Sequence, residues 1–394
     1  MNDIYQKALD LHEQKKGKIE ISSKVRVTNK EELSLAYSPG VAAPCLKIKD
    51  NENDIYKYTS KSNTVAVISD GSAVLGLGNI GARASLPVME GKSILFKEFA
   101  NIDSFPIILD TQDTEMIIQT VKMIAPSFGG INLEDIKAPK CVEIEKRLKE
   151  ELDIPVFHDD QHGTAIITSA ALINSCKLTK KNISDIVVCL SGVGAAGSSI
   201  AKMLKMLGVK ALYASDVNGV ISMDNYDSYD FLTKELIDTN IIDTNHDYID
   251  FADTFKNADM FVGVSAPNIV TKEMIASMND NPFVFAMANP TPEIMPDIAK
   301  DAGALIVGTG RSDFANQVNN VLAFPGIFRG VLDANAKEIT EEMKLAAAYA
   351  IAETIDNKDL TADYIIPSPF DKKVVKNVSE AVQKIAKLQK LTKL

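Results

Sequence analysis

The 394-residue chain has no tryptophan, four histidines and four cysteines, and each scarcity excludes something. Cys45, Cys141, Cys176 and Cys189 lie far apart without a CxxC pair. The expectation is therefore a reduced, cytoplasmic protein with inert or buried thiols. No window approaches the 18 or so uninterrupted apolar residues of a membrane span, so no membrane partner is expected. The opening stretch MNDIYQKALDLHEQKKGK scatters charge throughout and has no apolar centre, which excludes a secretory leader from the reading. No basic block exists, and 53 acidic residues outnumber 42 basic ones; nucleic acid is not the expected partner. Internal repeats and low-complexity tracts are also missing. What remains is the composition of a globular chain long enough for two or three domains.

Residues 3–16 read as a short amphipathic helix with Ile4, Ala8, Leu9 and Leu11 on one side, followed by a polar arm and the Pro-fixed loop AYSPGVAAP at 36–44. From Thr64 onward, apolar runs alternate with helical periodicity. VAVIS (65–69), FPIIL (105–109), IPVF (154–157) and DIVVCL (185–190) read as buried strands, as do ALYAS (211–215), MFVGVS (260–265), FVFAMA (283–288) and ALIVG (304–308). Such alternation specifies an α/β fold with mostly parallel sheets. The pattern turns purely helical after about residue 335. The expected division is an N-terminal α/β domain over 1–162, a doubly wound Rossmann-type nucleotide domain over 163–363, and a C-terminal linker and helix over 364–394 that packs back on the first domain.

GxGxxG occurs twice. The second copy, Gly192-Val193-Gly194-Ala195-Ala196-Gly197, comes directly after the strand DIVVCL, opens a helix, and leads to a strand ending in Asp216. That is the complete dinucleotide unit: glycines admit a pyrophosphate at a helix N-terminus, and the acid takes a ribose 2′-hydroxyl. With an acid at 216 and no cation close behind it, NAD is preferred and NADP remains possible. The first copy, Gly76-Leu-Gly78-Asn-Ile-Gly81, is expected to be a tight loop beside a substrate pocket. Pro87 interrupts the segment after it, and no strand ends in an acid about 20 residues on.

Adjacent carboxylates close two strands: Glu134-Asp135 in INLEDIKAP, and Asp159-Asp160 in VFHDDQHGTA. In an open parallel sheet, strand C-termini converge on the ligand crevice. Paired acids there without cations suggest Mg²⁺ or Mn²⁺ held through oxygen; the competing reading is helix caps and solvated loop charge. His158-Asp-Asp-Gln-His162 resembles the zinc signature HExxH. That motif needs both histidines on one helical face and a Glu in second place. Here His158 closes a strand, Gly163 is expected to prevent a helix through 158–162, and the Glu is missing.

These pieces, in order, resemble the malic enzymes of the short bacterial type. The markers run from LAYSPGVAAPC through SDGSAVLGLGNIGARASLPVMEGKSILFKEFA, INLEDIKAP, PVFHDDQHGTA, VGVSAPN, MANPTPE and TGRSDFANQVNNVLAFPGIFRG to YIIPSPFD. The resemblance implies NAD(P)-linked oxidative decarboxylation of L-malate to pyruvate and CO₂. It assigns Tyr37 as general acid, Lys92 as general base, and Asp159 as the residue that supports the lysine. Glu134, Asp135 and Asp160 become the ligands of Mg²⁺ or Mn²⁺, while Asn289 and Asn320 meet the substrate or the nicotinamide amide. A homodimer is the expected assembly. One departure stands out: Ala73 occupies the place where longer members carry a substrate-gripping arginine, so Arg83 or Arg311 is the candidate replacement. An oxaloacetate decarboxylase that uses the nucleotide structurally is the alternative enzyme, and a non-catalytic nucleotide-binding protein the alternative class.

Malate carries its hydroxyl on C2 and a carboxylate on C3, so removing hydride from C2 creates a β-keto acid primed to lose CO₂. A lysine can take the hydroxyl proton only if its pKa falls well below about 10.4, through desolvation or a neighbouring cation. The departing CO₂ leaves an enolate at the C2 oxygen, where a metal stabilises charge, and an acid then protonates C3.

Overall fold

The structure is a computed structural model and describes residues 2–74 and 76–393. The N-terminal arm carries α1 (Asn2–Lys15), α2 (Lys30–Ala36), α3 (Ala42–Asp50) and α4 (Ile55–Tyr58). β1 (Thr64–Ser69), β2 (Asp103–Ile108), β3 (Gly130–Leu133) and β4 (Val156–His158) form a parallel sheet in the order β2-β1-β3-β4. The connecting helices are α5 (Ala82–Ala100), α6 (Thr114–Ile124) and α7 (Lys140–Glu151). The chain leaves β1 for β2 on one side and returns to β3 on the other, so the loops after β1 and β3 flank a topological switch point. Register aligns Ile68 with Leu133 and Leu133 with His158. The residues just beyond β3 and β4 therefore emerge side by side at one sheet edge.

α8 (Asp159–Thr179) then leads into a second sheet. β5 (Val187–Ser191), β6 (Ala211–Asp216), β7 (Gly219–Val220), β8 (Met260–Gly263), β9 (Phe283–Ala286) and β10 (Ile306–Thr309) lie in the order β10-β9-β8-β5-β6-β7. All pairings are parallel except the short β6–β7 turn-back. The helices are α9 (Ala195–Leu207), α10 (Phe231–Asp238), α11 (Lys272–Ala276) and α12 (Pro296–Asp301), then α13 (Phe324–Asp333), α14 (Glu341–Glu353) and α15 (Lys372–Leu388). β5 and β8 mark the second switch point. One apolar cluster runs from β1 and α5 through α8 into β5, α9 and the C-terminal helices, joining both sheets. α8 is the axle, with 16 of its 21 residues buried, because it is apolar on every side rather than on one stripe.

Two local expectations need correction. Pro87 does not interrupt the segment after the first glycine loop: α5 runs through it. Proline lacks the N–H that would bond the Arg83 carbonyl, and both residues are exposed, so the carbonyl left without that bond lies on the solvent face. Gly163 does not prevent a helix either. α8 begins at Asp159, where two acids in the first turn suit the positive end of the helix dipole, and continues past Gly163. The glycine answers crowding instead. A Cβ at 163 would stand 2.5 Å from Asp159 Oδ1 and 2.7 Å from Asn320 Cγ.

Candidate active site

Carboxylate oxygens of Glu134, Asp135 and Asp160 lie within 4.8 Å of one another. Glu134 and Asp135 come just after β3, Asp160 opens α8, and the shared register of β3 and β4 brings them together. Asp135 takes the left-handed conformation (φ 53°), which an aspartate tolerates better than most residues. It is tied on both sides, its N–H donating to Asp160 Oδ2 at 2.9 Å and its carbonyl accepting from Ala73 N at 2.9 Å. Glu134 accepts from Asn132 Nδ2 at 2.8 Å. Three hard oxygen donors, two of them buried, match the ligand chemistry of Mg²⁺ or Mn²⁺ and offer no sulfur or nitrogen to a softer ion.

Lys92, midway along α5, reaches into this cluster. Its Nζ lies 2.7 Å from Glu134 Oε1 and 2.7 Å from Asp159 Oδ2, and 4.3 Å from the centre of the Phe324 ring. Burial alone pulls the ammonium pKa down, but Asp159, Glu134 and Asp160 outweigh it and hold Lys92 protonated, above its ordinary range. Burial raises Glu134 well above the usual carboxylate range; Lys92 opposes this, and the neighbouring aspartates add to it. Asp159 is raised for the same reasons. Among the described residues, Glu134, Asp159 and Asp160 all act on the Lys92 ammonium, an excess of negative charge that a divalent cation would offset.

The histidines sit differently. His158 precedes the helix, its Nδ1 3.8 Å from Asp160 Oδ2, beyond hydrogen-bond range. His162 Nε2 faces both oxygens of Glu145, at 2.9 and 2.8 Å. Burial lowers the His162 pKa to about 4 against the pull of Glu145, so the ring is neutral. The zinc signature is therefore excluded by His162 facing a carboxylate and His158 standing outside the helix, not by a broken helix.

The second glycine loop opens a cavity of about 910 Å³ bounded by Gly192, Gly194, Asp216, Asn218 and Ser265. Gly192 has φ 95°, and a Cβ there would meet Val264 O at 2.9 Å. A Cβ on Gly197 would meet Gly192 O at 1.9 Å, so helix and loop close only without a side chain, whereas Gly194 faces open space. Asp216 ends β6 and accepts from Asn218 N at 2.7 Å. In the first glycine loop, Val74 and Gly78 bridge into a tight turn.

Asn320 is brought to the acidic cluster: its Nδ2 donates to the Asp159 carbonyl at 3.3 Å and its Oδ1 accepts from Thr164 at 3.2 Å. Asn289 is exposed just after β9, before a cis bond to Pro290. Its loop is held by Glu293, which accepts from Ser265 N (2.9 Å) and Ala288 N (3.0 Å). Arg311 pairs with Asp313, with Nη1 3.5 Å from Pro290 O, while Arg83 points to solvent near Asp110. Tyr37 is not brought to Lys92; it is 68% exposed at the end of α2. Sequence reading missed Glu145, Glu293 and Lys344. The signal for Glu145 and Lys344 was a charge on an apolar helical stripe: Glu145 falls among Cys141, Ile144 and Leu148, and Lys344 among Met343, Ala347 and Ile351.

Residues 16–149 match the family model "Malic enzyme, N-terminal domain", and residues 161–387 match "Malic enzyme, NAD binding domain". The chain is 55% identical over 385 residues to the bifunctional malic/malolactic enzyme of Bacillus subtilis, covering 97% of this chain and 93% of that protein. It is 54% identical to the NAD-dependent malic enzyme of Geobacillus stearothermophilus, covering 94% and 77%. Among solved structures, the malic enzyme of Pyrococcus horikoshii superimposes with a TM-score of 0.92 at 44% identity, covering 99% of this chain and 92% of that one.

Proposed function

The chain belongs to the malic enzyme family, and on that premise we propose that it converts L-malate to pyruvate and CO₂ with NAD as hydride acceptor, through Lys92, Asp159 and the Glu134–Asp135–Asp160 triad. When bound, the divalent cation supplies Lewis-acid polarisation of the C2 oxygen and NAD supplies the hydride acceptor. Lys92 removes the C2 hydroxyl proton. Glu134 is shared between Lys92 and the triad; as a metal ligand it would leave Asp159 as the carboxylate on the ammonium and move Lys92 toward the neutral form a base requires. Asp159 stays on Nζ, orienting it and stabilising the proton it gains. Asn320 holds the first turn of α8 and, with Asn289, meets the substrate carboxylate or the nicotinamide amide.

The observation that carries this reading is Lys92 Nζ seated 2.7 Å from both Glu134 and Asp159 beside a triad of oxygen ligands. Asp216 favours NAD, since a carboxylate there repels a 2′-phosphate. A homodimer is part of the same proposal. Ile4, Tyr5 and Leu9 of α1, and Leu35, Tyr37 and Leu46 of α2, its cap and α3, are exposed apolar side chains, suited to a second copy that would receive Tyr37 as the acid for C3. Four unpaired cysteines fit a cytoplasmic setting. The division into 1–162, 163–363 and 364–394 also belongs to this reading.

The test is NADH formation from malate with Mn²⁺ and with excess chelator. Metal-dependent NADH and CO₂ in equal amounts are expected. Oxaloacetate decarboxylation without NADH from malate selects the lyase instead. For the dimer, mixing Tyr37→Phe with Lys92→Met restores up to about a quarter of wild-type activity by forming one intact site; no recovery removes the cross-subunit role.

A further inference from the structure

Glu145 grips the acidic pair from both sides. Its Oε1 accepts the His158 backbone N–H at 3.1 Å, just before Asp159, and its two oxygens face His162 Nε2, just after Asp160. Lys149 adds an ion pair to Oε1 at 2.8 Å. Beyond the ring, Lys344 Nζ stands 3.0 Å from His162 Nδ1 and 2.6 Å from Glu341 Oε1. Lys344 comes from α14, 182 residues later in the chain, and is fully buried.

One arrangement gives every donor an acceptor. A nitrogen facing a carboxylate must carry the proton, so His162 donates from Nε2 and offers the Nδ1 lone pair to the Lys344 ammonium. Glu145 is anionic, the imidazole neutral and Lys344 cationic, and each finds its complement. Stability alone does not call for this arrangement. Buried charge is costly, and a methionine at 344 would fill the same apolar face without it. Directionality is what the charges add. Each residue of helix corresponds to about 100° of rotation, so fixing His158 N–H and the His162 ring against one carboxylate sets the direction in which Asp159 and Asp160 leave the first turn.

We propose that Glu145, His162 and Lys344 are positioning residues that aim Asp159 at Lys92 and Asp160 at Glu134 and Asp135, so that α14 sets the geometry of the metal and proton-transfer carboxylates. The inference rests on the proposal that the oxygen triad holds a divalent cation. Groups that orient metal ligands typically matter by about 10- to 100-fold in affinity or activity.

The full-length protein is titrated with Mn²⁺ alone, free ion being read by electron paramagnetic resonance, and separately with NAD. His162→Leu and Lys344→Met are expected to weaken Mn²⁺ by about tenfold or more and to lower kcat with malate more than they change its KM, with NAD affinity unchanged within about twofold. His162→Gln, which retains one donor and one acceptor, is expected to recover most of the loss. Lys149→Met, at the solvent edge of Glu145, removes one anchor while sparing the buried ring, and should weaken Mn²⁺ about twofold to threefold even if the inner variants fail to fold. Unchanged Mn²⁺ affinity in every folded variant overturns the inference, as does a parallel fall in NAD affinity or a Gln variant no better than the Leu variant. Wild-type protein that binds no Mn²⁺ would instead defeat the metal reading itself.

Discussion

Replacing Lys92 with methionine is expected to tighten Mn²⁺ binding while abolishing turnover. Among the described residues Lys92 is the cation paired with Glu134, at 2.7 Å, and Glu134 is also the buried corner of the oxygen triad. Opposite unit charges at that distance attract by about 6 kcal/mol at an effective dielectric of about 20. Desolvation cancels most of this, leaving about 1.5–3 kcal/mol, the usual net worth of a hydrogen bond to a charged group. A divalent ion must overcome that amount to share Glu134. Removing the ammonium should therefore improve Mn²⁺ affinity by about tenfold to a hundredfold, in protein free of NAD and malate. The variant also strands Glu134 and Asp159, at a cost of about 3–5 kcal/mol to the fold. Mn²⁺ should restore more thermal stability to the variant than to wild type, because ligand binding to the native state raises stability with affinity. Titration of free Mn²⁺ and thermal melts with and without the ion read both effects. Unchanged or weaker Mn²⁺ binding in a folded variant refutes the reasoning, because Lys92 would then not compete with the cation for Glu134.

The geometry sets three further outcomes. Gly163→Ala places a methyl 2.5 Å from Asp159 Oδ1 and 2.7 Å from Asn320 Cγ; it should lower stability by about 1–3 kcal/mol and reduce kcat, and a melting curve matching wild type would contradict the crowding. Asp216→Ser should raise the KM for NAD and improve use of NADP, shifting the ratio of kcat/KM by about tenfold, the value of one charged hydrogen bond; an unaltered ratio would show that Asp216 does not face the ribose. Burial pushes the thiols of Cys141, Cys176 and Cys189 up to about 12, whereas Cys45 is exposed. A chromogenic disulfide should therefore titrate one thiol quickly in the native chain and all four only after denaturation.

The strands and the dinucleotide loop were legible in the sequence because their signals are local. DIVVCL, the glycines from 192 to 197 and ALYAS with Asp216 at its end carry apolar runs, turn chemistry and spacing in one short stretch, and each strand read from an apolar run reappears within a few residues of its expected span. The acidic cluster was legible in part. Adjacent acids at strand ends are visible in the sequence, but their convergence depends on β3 and β4 being neighbours in register. The errors came where placement in the fold overrides local preference: Pro87 and Gly163 read as breakers, yet one faces solvent and the other makes room for Asn320, far along the chain. Glu145 and Lys344 escaped notice because a charge on an apolar helical stripe signals burial without naming the distant helix that encloses it.

The burial of α8 also bears on how the chain can be divided. The expected cut between residues 162 and 163 passes through this helix, after the turn that bears the acids and before the apolar stretch lodged under β5, α9 and α14. Anyone expressing either half alone would sever a rod whose remaining faces have no solvent-compatible side, so fragments divided there should precipitate or recombine rather than persist as independent modules.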